Sequence, residues 1–199
     1  MNNFNDRLPN LEVKTYGSDD NKIKVIEGIL KLSSWSGYQS RQGIYDSIDT
    51  DKQSDGTVRV QIGGDMVVDN PEVAEEHVNA YKYLIEHQHK LKDIILNSLF
   101  INYKKLQEQY GYEIEEEKLL MPDIDNTSQF KNLIGLSSVH LLNVSKDNVA
   151  YVGYEFGCTW DDEHGLGVMT YKDRIVEIGN ADSSFLTWIA EEDLESNTE

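Results

Sequence analysis

The stretch Thr57-Val-Arg-Val-Gln-Ile62-Gly-Gly-Asp-Met-Val-Val68-Asp-Asn-Pro71-Glu-Val73-Ala-Glu-Glu-His-Val78 decides the fold, because its hydrophobic period changes part-way along. Thr57 to Ile62 alternates apolar and polar residues, the signature of a half-buried strand. Gly63-Gly64 breaks it, and Met66-Val-Val68 reads as resumed pairing. From Asp69 the pattern is helical. Asn70 is a good N-cap, Pro71 suits the first helical position and Glu72 the first turn. Apolar and aromatic residues then recur at Ala74, Val78, Tyr81, Leu84, Ile85, Leu91, Ile94, Ile95, Leu99, Tyr103 and Leu106, which is a stripe on one side of a helix ending at Tyr110-Gly111. Forty residues of straight helix would run about 60 Å, longer than a domain of this size, so a break near Glu86 to Lys90 is expected.

Working outward, both flanks read as β. Leu11 to Tyr16 and Lys22 to Glu27 are strand-like around the turn cluster Gly17 to Asn21. After a short helix opened by Asn126, strands are expected at Ser138–Val144, Val149–Gly157, Gly167–Tyr171 and Ile175–Gly179, with hairpin turns at Ser145–Asn148 and Lys172-Asp173. Ala181 to Ile189 reads as a short helix or a closing strand. Segregated strands and helix define an α+β fold, mostly antiparallel, with a central helical insert. The expected organisation is a single domain over residues 1–190, with a β region at 11–68, a helical region at 70–136 and a second β region at 137–190. An acidic tail at 191–199 is expected to fray.

The chain has 199 residues and a formal net charge of -18. Twelve acidic residues against Lys172 and Arg174 fall between Tyr151 and Glu199, and a second acidic run spans Gly111 to Asp125. Such a field repels nucleic acid and anionic membrane and attracts cationic surfaces. No apolar run is long enough to span a bilayer, and the first residues lack the character of a signal peptide. The single Cys158 has no internal disulfide partner. Cytoplasm is the expected compartment.

The richest chemistry lies in Gly153 to Val168, reading GYEFGCTWDDEHGLGV. A hairpin turn needs one glycine and a polar residue or two, and this stretch holds much more. As a metal site, Asp161, Glu163 and His164 would suit calcium or magnesium better than zinc, which wants more nitrogen and sulfur ligands. As a thiol site, Cys158 with His164 is disfavoured by the neighbouring acids, which raise a thiol pKa. The glycines follow neither phosphate-binding fingerprint and read as close-approach positions. Asp51 to Gly56 opens like a calcium loop, but Ile62 stands where a bidentate Glu is needed, so it reads as a turn. His77, His87 and His89 read as helix-surface or core-edge residues. Trp35, Tyr38 and Tyr45 form an aromatic segment suited either to recognition or to closing the core. No catalytic residue is assigned.

The segment Tyr151 to Val168, followed by Arg174-Ile-Val-Glu-Ile-Gly179 and Ala181-Asp182, resembles a family of uncharacterised bacterial proteins, a domain of unknown function. Its members carry a W-D-x-E-H-G-x-G-V motif near the C-terminus, matched here by Trp160, Asp161, Glu163, His164, Gly165, Gly167 and Val168. Some similar small acidic proteins are thought to be immunity proteins that stand beside polymorphic toxins. The resemblance implies a bacterial cytosolic setting and a shared fold, and carries over no catalytic residue.

The expected function is that of a non-enzymatic acidic binding protein, with an immunity-type inhibitor of a basic toxin as its most concrete form. Trp160, Trp35 and Tyr38 would be the desolvated anchors, and Asp161, Asp162 and Glu163 would pair with Lys or Arg of the basic partner. No cofactor is needed for that role. The alternative is a divalent-cation-binding module or metal-dependent hydrolase centred on Asp161, Glu163 and His164. A third reading makes the motif purely structural, with Trp160 and His164 buried and the acids splayed into solvent.

Overall fold

A computed structural model describes residues 8, 10–18, 22–41, 52–65, 70–111 and 119–196. The expectations for Tyr45, for resumed pairing at 66–68 and for much of the acidic run after 111 fall outside these residues, as do parts of the 17–21 and 51–56 turns.

Seven strands form a single sheet in chain order: β1 (Leu11–Tyr16), β2 (Ile23–Lys31), β3 (Thr57–Gly63), β4 (Ile134–Lys146), β5 (Val149–Cys158), β6 (Leu166–Tyr171) and β7 (Arg174–Gly179). Every neighbouring pair is antiparallel except β3 and β4, which run parallel. A parallel pair needs a crossover rather than a hairpin. The crossover here is the long helix α1 (Glu75–Tyr110), followed by a 3-10 turn at Thr127–Asn132. The α+β class read from the sequence is the class of the structure. The β4–β5 connection is a two-residue turn with Asp147 and Asn148 both at positive φ (49° and 59°), the conformation that matches strand twist and suits short polar side chains.

Two details of α1 differ from the sequence reading. The helix starts at Glu75 with Ala74 as its extended N-cap, not at Asn70. The reason is His77, whose Nδ1 accepts the Ala74 N–H at 3.0 Å from inside the first turn, a cap supplied from the third helical position. The expected break at Glu86 to Lys90 is also absent, and the 36 residues run on continuously. Helices kink at Pro, Gly or an inserted group, and α1 contains neither Pro nor Gly. It also has a track long enough to lie on. β4 has 13 residues, about 43 Å at 3.3 Å each, and the β5–β6 turn extends that track. The polar residues at 86–90 are used at the helix edge. Gln88 Oε1 accepts the Ser34 N–H at 3.1 Å, and His87 stacks on Tyr83 at 4.2 Å.

The stripe of α1 buries Val78, Leu84, Leu91, Ile95, Leu99 and Tyr103 against one face of the sheet. Side chains alternate across a strand, so Val152, Tyr154, Phe156 and Cys158 of β5 join that core while Tyr151 points the other way. The second face carries a smaller core of Leu142, Val144, Tyr151, Met169, Tyr171, Ile189 and Ala190. It is closed by a 3-10 turn at Ala181–Ser184 and by α2 (Thr187–Ser196). α2 runs through the start of the expected fraying tail. Its Asp193 is bound by Arg174 at 2.5 and 2.7 Å and by the Tyr151 hydroxyl at 2.8 Å, which holds the helix down. Among the described residues no helix is long and apolar enough to cross a membrane.

Candidate functional site

The acidic motif forms the β5–β6 turn, and its residues divide by role. Trp160 is buried edge-on to Tyr103 of α1 at 6.0 Å, and Tyr103 meets Phe130 at 5.4 Å. Asp161 is half-buried and ties the turn together. Its Oδ1 accepts the His164 N–H at 2.8 Å and the His164 Nδ1–H at 3.1 Å, and its Oδ2 accepts the Tyr110 hydroxyl at 3.1 Å. A carboxylate only accepts, so the His164 proton sits on Nδ1. Gly165 takes the left-handed conformation (φ +59°) and donates its N–H to the Asp161 carbonyl at 3.0 Å. The side chain of His164 is exposed rather than buried.

The strand glycines act through the space they leave. A Cβ on Gly153 would stand 1.6 Å from the Ser184 carbonyl oxygen, and one on Gly167 2.3 Å from that of Asn180. The 3-10 turn at Ala181–Ser184 therefore lies backbone to backbone on β5 and β6. On β4, a Cβ at Gly135 would stand 2.3 Å from the Gln39 carbonyl oxygen, so the backbone at Gln39 to Arg41 crosses the sheet equally closely.

Between that segment and the 3-10 turn lies a cavity of about 450 Å³ lined by Arg41, Glu155, Phe156, Gly157, Cys158, Asp162, Glu163, His164, Gly165, Asn180, Ala181, Asp182 and Phe185. The Arg41 side chain is only 1% exposed. Its Nε donates to Gln39 Oε1 at 2.9 Å and its Nη1 to Asp162 Oδ1 at 3.5 Å. His140, buried on β4, donates from Nε2 to Glu155 Oε2 at 2.8 Å and packs on Phe185. The Cys158 thiol faces the α1 core, and burial pushes its pKa up to about 12. It donates to the Asp161 carbonyl at 3.5 Å. A neutral, buried thiol is no nucleophile at physiological pH.

Of the residues expected at the site, the turn brings together Asp161, Asp162, Glu163 and His164, with Asp162, Glu163 and His164 exposed on the cavity rim. Trp160, Trp35 and Tyr38, expected as anchors for a partner, lie buried in the core. Trp35 packs edge-on to Tyr38 and Phe156, each at 5.0 Å. Asp161 points inward to Tyr110 while Asp162 turns to Arg41, so the acids diverge. Among the described residues no group of three His, Cys, Asp or Glu side chains is placed to hold a metal ion. Sequence reasoning missed Arg41, Glu155, Asp182 and the His140 pair. The one usable signal was a lone histidine inside the apolar strand at 138–144. It also missed Trp188, which is 50% exposed on α2.

The chain belongs to a family described as a domain of unknown function (DUF6985), whose profile matches residues 26–186. That span takes in most of β2, the strands β3 to β7, the whole of α1 and every described cavity-lining residue. No curated protein and no solved structure matches the chain significantly.

Proposed function

We propose that this is a binding protein without catalytic chemistry of its own, and that it takes a cationic group of a basic protein partner into the cavity beside the β5–β6 turn. The observation that carries this reading is the lining. Glu155, Asp162, Glu163 and Asp182 surround the space, and Arg41 is the one Lys or Arg among the described lining residues. Arg41 is already engaged with Asp162, so the cavity keeps a negative surplus. Its low-dielectric walls focus that field outward and raise the encounter rate with positive surfaces. The finer form, an immunity-type inhibitor of a basic toxin in the cytoplasm, draws its support from the resemblance to small acidic immunity proteins and from the net charge of -18. A calcium or magnesium site has less support, because Asp161 is consumed by the turn and by Tyr110 while Asp162 faces Arg41.

The test is binding of a fluorescently labelled cationic peptide at low and high salt, for the wild type and for Asp162→Asn/Glu163→Gln/Asp182→Asn. The expected result is affinity that falls with salt and drops about tenfold or more in the variant, as for buried charge pairs at interfaces. Equal affinity of the two proteins would remove the cavity from the reading.

A further inference from the structure

We propose that the outer face of α2 is a docking surface for an arginine-bearing segment of a basic partner, anchored on Trp188. This rests on the reading above for the sign of the partner's charge, but it uses a separate surface that shares no residue with the cavity lining.

The argument begins with how firmly α2 is held. Thr187, Ile189 and Ala190 are buried, and Asp193 is clamped by Arg174 and Tyr151. The opposite side is therefore presented in a fixed orientation, which lowers the ordering cost of binding. Trp188 stands on that side with half of its surface in solvent, while Trp35 and Trp160 are 2% and 5% exposed. Glu191, Glu192 and Glu195 follow it at the third, fourth and seventh positions, so all four side chains share one helical face. All three glutamates are exposed, and none makes an ion pair among the described residues.

Their placement is unfavourable for the free helix. Carboxylates near a helix C-terminus face the negative end of the helix dipole, and the last turn of α2 has no basic residue. A docked cation would relieve both this and the mutual repulsion of the three charges. The aromatic ring selects which cation. A guanidinium stacks on an indole and offers its planar fork to neighbouring carboxylates, whereas an ammonium is a strongly hydrated point charge. The face fits arginine better than lysine, and Trp is the residue type most often found as an interface anchor.

The experiment titrates the full chain, at low salt, with a short arginine–glycine peptide and with a lysine–glycine peptide of equal charge, read by labelled-peptide anisotropy and tryptophan emission. The expected result is saturable binding with about fivefold preference for the arginine peptide, a change in tryptophan emission that both Trp188→Phe and Trp188→Ala lose, and an affinity by anisotropy that Trp188→Phe largely keeps. Affinity should fall about tenfold in Trp188→Ala and in Glu191→Gln/Glu192→Gln/Glu195→Gln. Every one of these side chains is exposed, so the variants fold. Equal affinity of wild type and Trp188→Ala, equal affinity for the two peptides, or no saturable binding would each overturn the proposal. If the cavity-lining variant alone loses binding, the α2 surface is overturned and the cavity reading stands. If the α2 variants alone lose it, the reverse holds.

Discussion

The two faces of the sheet are closed by different means. On the first, a 36-residue helix packs large side chains against those of the sheet, and the aromatic chain Trp160–Tyr103–Phe130 locks its C-terminal half. On the second, a 3-10 turn lies directly on Gly153 and Gly167, and a ten-residue helix covers a small core. Side-chain packing fills space and leaves little room for charge. Backbone laid on glycine leaves recesses at its margins, where a buried arginine and a histidine–glutamate pair survive beside a cavity. The lesson is a division of labour within one sheet. The first face supplies stability, and the second presents charge.

The largest expected effect tests the first face. Trp160→Ala removes the side chain that joins the β5–β6 turn to α1, and should cost about 3–5 kcal/mol in urea unfolding. A loss under about 1 kcal/mol would mean that the turn is held by its hydrogen bonds alone, and the motif would lose its role as a lock.

The next effect tests the second face. Gly153→Ala places a methyl against the Ser184 carbonyl, a backbone atom with no rotamer to escape into. Overpacking of this kind costs about 1–3 kcal/mol and sometimes more. Because the 3-10 turn must lift, the cationic-peptide affinity of the cavity should fall as well. If Gly153→Ala leaves both stability and affinity intact, the backbone contact is dispensable and the contrast between the faces fails.

The sequence made the strands and the long helix legible because their periods are local properties of the chain. Thr57 to Ile62 alternates whatever it packs against, and the α1 stripe repeats whatever covers it. What stayed hidden was non-local. Nothing near Asp161 announces Tyr110, and nothing near Trp160 announces Tyr103, yet these partners decide whether the motif faces solvent or core. The motif was conspicuous for a sound reason, but most of its conspicuous residues are consumed in building the turn. Trp35 and Tyr38 looked like a loop patch because their neighbours are polar, and burial placed them in the core. The exposed tryptophan lay in the segment read as a short helix or closing strand, where no local signal separates a core Trp from a surface one. The unbroken α1 was misjudged from domain diameter, because the helix packs along β4 and β5 and the sequence reading had β4 too short.

The smallest effect concerns the point where the first face titrates. His77 is buried, with Nδ1 accepting the Ala74 N–H and Nε2 donating to the Leu142 carbonyl at 3.1 Å. Both bonds require the neutral ring, since a protonated Nδ1 cannot accept. Burial accordingly lowers the His77 pKa below 6.5, against an opposing pull from Glu76 and the Leu142 carbonyl. The sign follows from linkage. The contribution of the neutral ring is whole above the unfolded value of about 6.5 and is lost as pH falls from there through the depressed folded value, because the unfolded chain takes up the proton first. For one proton the slope is at most about 1.4 kcal/mol per pH unit. The carboxylates with lowered values, Glu27, Asp55, Asp173 and Asp193, act at lower pH, so the histidine window lies above theirs. His77→Gln keeps an acceptor for the Ala74 N–H and removes the titration. Urea unfolding between pH 7.5 and 5 should show the wild type losing stability more steeply than this variant below about pH 6.5. Parallel curves would mean that the cap tolerates protonation, and the first face would then owe nothing to a neutral histidine at its helix start.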